Sequence, residues 1–160
     1  MPGRARRGYI PRMRTRRTRK PLIEPGEWPA DDGRTRVVVE NPDRAELWAY
    51  AQALREAGYA VATCTGPSDV AGDERRCPLL EGVRCSLVAG ADIVFTTCSL
   101  PRADELVARL DEQAPRVVVE ASLPDIERYR SIAASATIVP APVTEGKLLD
   151  ALGEPPQRAG

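Results

Sequence analysis

From residue 36 to residue 152 the apolar and polar positions fall into two alternating rhythms. Short β-branched runs have the continuous apolar character of strands buried on both faces: "RVVVE" (36–40), "AVATC" (60–64), "DIVFTT" (92–97), "RVVVEA" (116–121) and "TIVPAPV" (137–143). Between them lie stretches with helical spacing. "NPDRAELWAYAQALREAGY" sets Leu47, Tyr50, Ala51, Leu54 and Ala57 on one face, opens on Asn-Pro and stops at Gly58. "RADELVARLDEQ" (102–113) turns Leu106, Val107 and Leu110 inward, another helix starts near Pro124, and "TEGKLLDAL" (144–152) opens on a threonine cap. Only the stretch from Thr65 to Gly90 breaks the rhythm. Pro78 and Gly82 interrupt it, which predicts an irregular crossover with room for a short helical turn.

Strands that alternate with helical or crossover segments pair in parallel, and their right-handed connections cover both faces of the sheet. The prediction is an α/β fold: a three-layer, doubly wound, parallel five-stranded sheet in the order 2-1-3-4-5, flavodoxin-like, with an irregular cysteine-containing crossover between strands 2 and 3. In that topology ligands bind at the carboxyl ends of the strands, beside the switch between strands one and three. That edge holds Glu40 and Asn41, Thr97 and Cys98, Glu120 to Ser122, and Ala141 with Pro142.

The expected division is a basic arm and linker at 1–34, an α/β domain at 35–153 and a disordered tail at 154–160. Charge sharpens this picture. The net charge is zero, but residues 1–20 hold nine basic side chains and no acid, which leaves 14 basic against 23 acidic side chains in the remainder. An arm carrying Arg14, Arg16, Arg17, Arg19 and Lys20 suits nucleic acid or another anionic surface. The plainer alternatives are a solvated tail, or an upstream stretch with Met13 or a later residue as the true start. Three prolines and two glycines mark 21–34 as linker. No apolar run approaches the roughly 20 residues that span a bilayer, and the basic start lacks the apolar segment of a secretory signal, so the expected location is cytoplasmic.

The stretches "VVVENPDRAELWAYAQALREAGYAV", "ADIVFTTCSLP", "VVVEAS" and "TIVPAPVTEGKLLDAL", from Arg36 to Leu152, resemble a response-regulator receiver domain. In that family two adjacent acids after strand one bind magnesium and an aspartate ending strand three accepts the phosphoryl group. A threonine or serine after strand four, and a lysine before a proline after strand five, bind the phosphate. On this alignment Glu40 and Asn41 replace the acid pair, Thr97 the acceptor, Glu120 the hydroxyl and Ala141 the lysine, with Pro142 kept. One carboxylate holds magnesium weakly. A threonine hydroxyl forms no acyl phosphate, and Glu120 repels an incoming phosphate. The resemblance therefore implies a degenerate receiver: a phosphorylation-independent regulatory or protein-interaction module, not an enzyme, with a protein partner.

The alternative chemistry is sulfur. Cys64, Cys77, Cys85 and Cys98 are separated by 12, 7 and 12 residues and lie on strand two, the crossover and the end of strand three. Four thiolates at one edge would close a zinc site or hold an iron–sulfur cluster, so the competing reading is a thiol-based redox sensor or metal-binding protein. No C-x-x-C pair supports it, and disulfides or merely buried thiols fit the same spacing. No cofactor is expected otherwise. The chain lacks histidine altogether, which removes the commonest general base and zinc ligand. No glycine-rich phosphate loop follows strand one. Asp69, Asp73, Glu74 and Glu81 read as a solvated acidic loop, and Trp48 is expected to face the core.

Overall fold

The computed structural model describes Trp28 and residues 33–67, 76–97 and 102–153. Its strands are β1 (Arg36–Glu40), β2 (Ala60–Cys64), β3 (Ile93–Thr96), β4 (Val117–Ala121) and β5 (Thr137–Pro140). They pair in parallel in the order β2-β1-β3-β4-β5, as the alternating pattern predicts. The helices are α1 (Arg44–Glu56), the single turn α2 (Ser86–Ala89), α3 (Ala103–Gln113), α4 (Ile126–Ile132) and α5 (Glu145–Leu152).

Strand geometry sends successive side chains to opposite faces, and both faces are covered. Val37 and Val39 of β1, Phe95 of β3 and Val118 of β4 pack with Leu47 and Leu54 of α1 and Leu148 of α5. Val38, Val94, Val117 and Val119 pack on the other side with Leu87, Leu106, Val107 and Tyr129. The three consecutive valines of β1 are all buried because β1 lies between β2 and β3 with helices above and below.

The first helix is defined at both ends. The Asp43 carboxylate accepts hydrogen bonds from Ala45 N (2.8 Å) and Glu46 N (3.0 Å), satisfying two of the amides that a helix start leaves open. At the other end Gly58 takes a φ of +97°. Its amide donates to Arg55 O while the Tyr59 amide reaches back to Leu54 O, both at 3.0 Å, and the side chains of Leu54 and Tyr59 are buried. This is the paired closure that glycine allows after a helix.

Several details differ from the sequence-based expectation. β3 stops at Thr96, so Thr97 lies just outside the strand. β5 ends at Pro140, and the Ala141–Pro142 peptide is cis. The crossover, by contrast, is irregular with short helical turns as expected: a 3₁₀ turn at Leu79–Glu81 and the one-turn helix α2. Trp48 is 67% exposed, contrary to expectation. It follows Leu47 by about 100° around the helix, which carries it off the stripe formed by Leu47, Ala51 and Leu54. Trp28 packs on the crossover instead: its Nε1 donates to Leu87 O at 3.1 Å, over Gly90, where a Cβ would lie 2.8 Å from that nitrogen. The basic arm and the tail at 154–160 lie outside the described residues.

The cap geometry predicts that Asp43→Ala lowers unfolding free energy by about 1 kcal/mol, while Asp43→Asn, which keeps an acceptor, costs far less. Urea titration of both variants against the parent protein measures the difference.

Candidate functional site

The carboxyl edge of the sheet starts with Glu40, the last residue of β1, on the same face as Val38. Its Cα partner in β3 is Thr96, not Thr97. The Thr96 hydroxyl donates to Glu40 Oε2 at 2.6 Å, and both residues are buried. Glu40 Oε1 takes no hydrogen bond among the described residues. Burial raises the pKa of this carboxyl from 4.5 to about 7, partly opposed by the bond from Thr96.

Asn41, the second member of the predicted set, is buried and committed to the start of α1. Its Oδ1 accepts from Asp43 N at 2.8 Å and its Nδ2 donates to Glu46 Oε2 at 3.0 Å, while its backbone amide donates to Cys64 O at 3.0 Å. Thr97 is half-buried, its amide directed to Glu40 O at 3.3 Å.

Glu120 lies two residues beyond Val118 in β4 and faces the α1 side of the sheet. Its Oε2 accepts from the Tyr50 hydroxyl at 3.2 Å and its Oε1 from Val143 N at 2.9 Å, so one carboxylate joins α1 to the segment after β5. Tyr50 also stands edge-on to Phe95, with ring centroids 5.2 Å apart. Burial and the facing Glu120 carboxylate push the Tyr50 phenol pKa upward. Ala141 is exposed and offers only its amide, which donates to Ala121 O at 2.8 Å. The five positions therefore do not close around one point, because Glu40 faces α3 and Glu120 faces α1.

The described cysteines lie around one cavity. Cys64, Cys77 and Cys85 are unbonded thiols and line one cavity with Glu40. Burial pushes the Cys64 thiol up to about 12, against the hydrogen bond that its sulfur accepts from Gly66 N at 3.4 Å. Burial raises Cys77 too, opposed by the amides of Leu80 and Leu79. Among the described residues no group of three histidine, cysteine, aspartate or glutamate side chains is arranged to hold a metal ion. Cys98, the acidic residues Asp69, Asp73 and Glu74, and the arm residues Arg14, Arg16, Arg17, Arg19 and Lys20 lie outside the described residues. Glu81 is held in an ion pair with Arg76. Among the described residues no helix is long and apolar enough to cross a membrane.

Sequence reasoning missed Thr96, Tyr50 and Val143. Strand alternation carried the signal for Thr96, since it shares a face with Val94 and so with Glu40. The bond from Val143 N to Glu120 comes from backbone 23 residues away and leaves no mark in a side-chain pattern.

No family model and no curated protein sequence matches the chain. Solved structures do match its fold. The chemotaxis protein CheY4 of Vibrio cholerae superposes with a TM-score of 0.55 at 17% identity, covering 74% of this chain and 95% of that one. A CheY-like response regulator receiver domain protein from Methanospirillum hungatei gives 0.54 at 20% identity, covering 74% and 90%. A putative pilus assembly protein, cpaE, from Burkholderia thailandensis gives 0.55 at 16%, covering 74% and 94%. The structural neighbours are thus receiver domains in the main, and the shared feature is the flavodoxin-like fold.

Two predictions follow the buried groups. The folded-state pKa of Glu40 lies above its unfolded value, so the folded protein holds this proton more tightly. Its favourable contribution is complete below about pH 4.5 and is lost as pH rises through about 7. Relative to Glu40→Gln, the parent protein should lose about 3 kcal/mol of stability across that window, measurable as a difference between urea midpoints at pH 4 and pH 8; parallel pH profiles would contradict the assignment. Cys64 and Cys77 should also react slowly with iodoacetamide at pH 8 in the folded protein and rapidly in urea, since the thiolate is the nucleophile. Peptide mapping after timed quenching reads the rates.

Proposed function

We propose that this chain is a receiver-like regulatory module that works through protein contact, without phosphorylation and without catalysis of its own. The observation that carries the reading is the engagement of Glu120. At the position aligned with the family's phosphate-binding hydroxyl, both carboxylate oxygens accept hydrogen bonds from Tyr50 and Val143. A phosphoryl group there would meet negative charge and break two tertiary bonds. Glu40 and Asn41 support the same reading. One carboxyl lies inside an apolar face and the amide beside it is bonded to the Asp43 amide and the Glu46 carboxylate, so neither presents the oxygen cluster that magnesium requires. Ala141 supplies no cation for a transferred charge.

Exposed Trp48 supports protein contact, since a large aromatic side chain standing in solvent is the type that anchors interfaces. The thiol-sensor alternative needs thiolates, and burial keeps Cys64 and Cys77 protonated near neutral pH. A protein that receives signals by contact with partners in the cytoplasm is the simplest role consistent with these features.

Titration of the full chain with magnesium and beryllofluoride, followed by amide NMR, should give no saturable shift at Glu40, Thr97 or Val143. A saturable response at those amides would replace this reading with a phosphorylatable one. Trp48→Ala should change unfolding free energy by no more than about 0.5 kcal/mol, as for a largely exposed surface residue; a larger loss in urea titration would return Trp48 to a structural role.

A further inference from the structure

The two edges of the sheet differ in what their backbones offer. Parallel pairing turns the amide and carbonyl of alternate residues toward the neighbouring strand and those of the residues between them outward. On β5 the Ala141 amide bonds Ala121 O, so Ile138 and Pro140 face outward, and proline has no N–H to donate. On β2 the Ala60 amide bonds Thr35 O and the Asn41 amide bonds Cys64 O, so Val61 and Thr63 face outward. Among the described residues the Thr63 amide and carbonyl take no partner, and the Val61 carbonyl takes only Arg55 Nη2, at a long 3.4 Å. Groups left open in this way are a template for another strand. Helix α1 flanks the same edge, and the bond from Arg55 to β2 fixes which side of the helix faces it. At about 100° per residue, Trp48, seven positions earlier, returns to within about 20° of Arg55, and Arg44 lies one turn beyond. All three side chains are exposed, and among the described residues neither arginine is in an ion pair.

We infer that β2 and this side of α1 bind an extended acidic segment of a partner protein, which joins the sheet as an added strand beside β2 with its carboxylates toward Arg44 and Arg55. Main-chain bonds then supply affinity, and every second side chain of the added strand supplies selectivity. Acidity follows from Arg55. A carboxylate offers it a charge-assisted bond, stronger than the long one to a carbonyl. An acidic strand therefore draws Arg55 aside and frees the Val61 carbonyl for pairing, whereas a neutral or basic strand meets the arginine in place. Trp48, between the two arginines along the helix, is the apolar anchor. A second copy of this chain fits less well, since pairing β2 with itself about a two-fold axis sets like cations against each other. Nucleic acid would satisfy the arginines but carries no row of backbone amides for the Val61 and Thr63 carbonyls. The surface rests on the reading that the chain works through protein contact, and it specifies that contact.

Amide NMR of the full chain, titrated with three blocked peptides of about seven residues, tests the proposal. The first carries glutamates on either side of a central valine, each separated from it by one threonine. The second has lysines for the glutamates, and the third is the glutamate peptide with its central amides N-methylated. The glutamate peptide should give saturable shifts at Val61 and Thr63, with the lysine and N-methylated forms weaker by at least about tenfold. Arg44→Glu combined with Arg55→Glu should reverse the preference toward lysine. Thr63→Pro removes an outward N–H and no bond to β1, so it should weaken the glutamate peptide about tenfold while the rest of the spectrum keeps its dispersion. Absence of saturable shifts at β2, equal binding of glutamate and lysine peptides, or tighter binding of heptathymidylate would each overturn the proposal. Shifts at Val61 and Thr63 that depend on protein concentration without peptide would do the same, by assigning the edge to a second copy. None of these outcomes touches the broader reading, because the beryllofluoride titration reads Glu40, Thr97 and Val143 and no residue of this edge.

Discussion

A parallel sheet covered on both faces imposes one constraint from which most of this structure follows: neighbouring residues on a strand cannot share a face. In β1 the rule divides Val37 and Val39 from Val38 and Glu40, giving α1 and α5 one set of valine contacts and α3 the other. The same rule acts at the ends of the strands, where chemistry is usually assembled. Glu40 follows Val38 toward α3, and Glu120 follows Val118 toward α1. Two acids that share one edge in a linear reading are separated by the thickness of the sheet.

Each acid then meets a different physical problem. Glu120 finds two donors, a phenol and a backbone amide, and its charge is used to hold α1 against the segment that follows β5. Glu40 finds one donor, Thr96, and an apolar cavity, so the proton is the cheapest way to remove its charge and its pKa rises. Asn41 is likewise engaged in holding the edge together. By accepting from Asp43 N and donating to Glu46 it fixes the turn from which α1 starts. Asn41 and Glu120 thus satisfy backbone amides and neighbouring side chains.

Much of this fold was legible in the chain because local signals and global topology agree. The valine runs, the Gly58 stop and the Thr144 cap each declare an element that tertiary packing then retains. What escaped were features set by long-range placement. Thr96 rather than Thr97 faces Glu40 because β1 and β3 pair with Glu40 opposite Thr96, a register that the pattern of one strand alone does not fix. Trp48 follows a buried leucine yet points to solvent, since its size suggested a core residue and its angle around the helix decided otherwise. The crossover held too little periodic pattern to show that Cys77 and Cys85 would fold back over Cys64 and β1.

The core and the edge of this sheet are under different physical requirements. Val94, Val107 and Val118 need only be apolar, of suitable volume and on the correct parity, a demand that many sequences meet. An edge built for phosphoryl transfer needs particular carboxylates, a hydroxyl and a cation within hydrogen-bond reach of one point, a demand that almost no substitution survives. The core of such a sheet therefore tolerates far more substitution than an edge of that kind would. Glu120, bound to Tyr50 and Val143, ties elements of the fold together, so a hydroxyl residue in its place would remove two bonds between them.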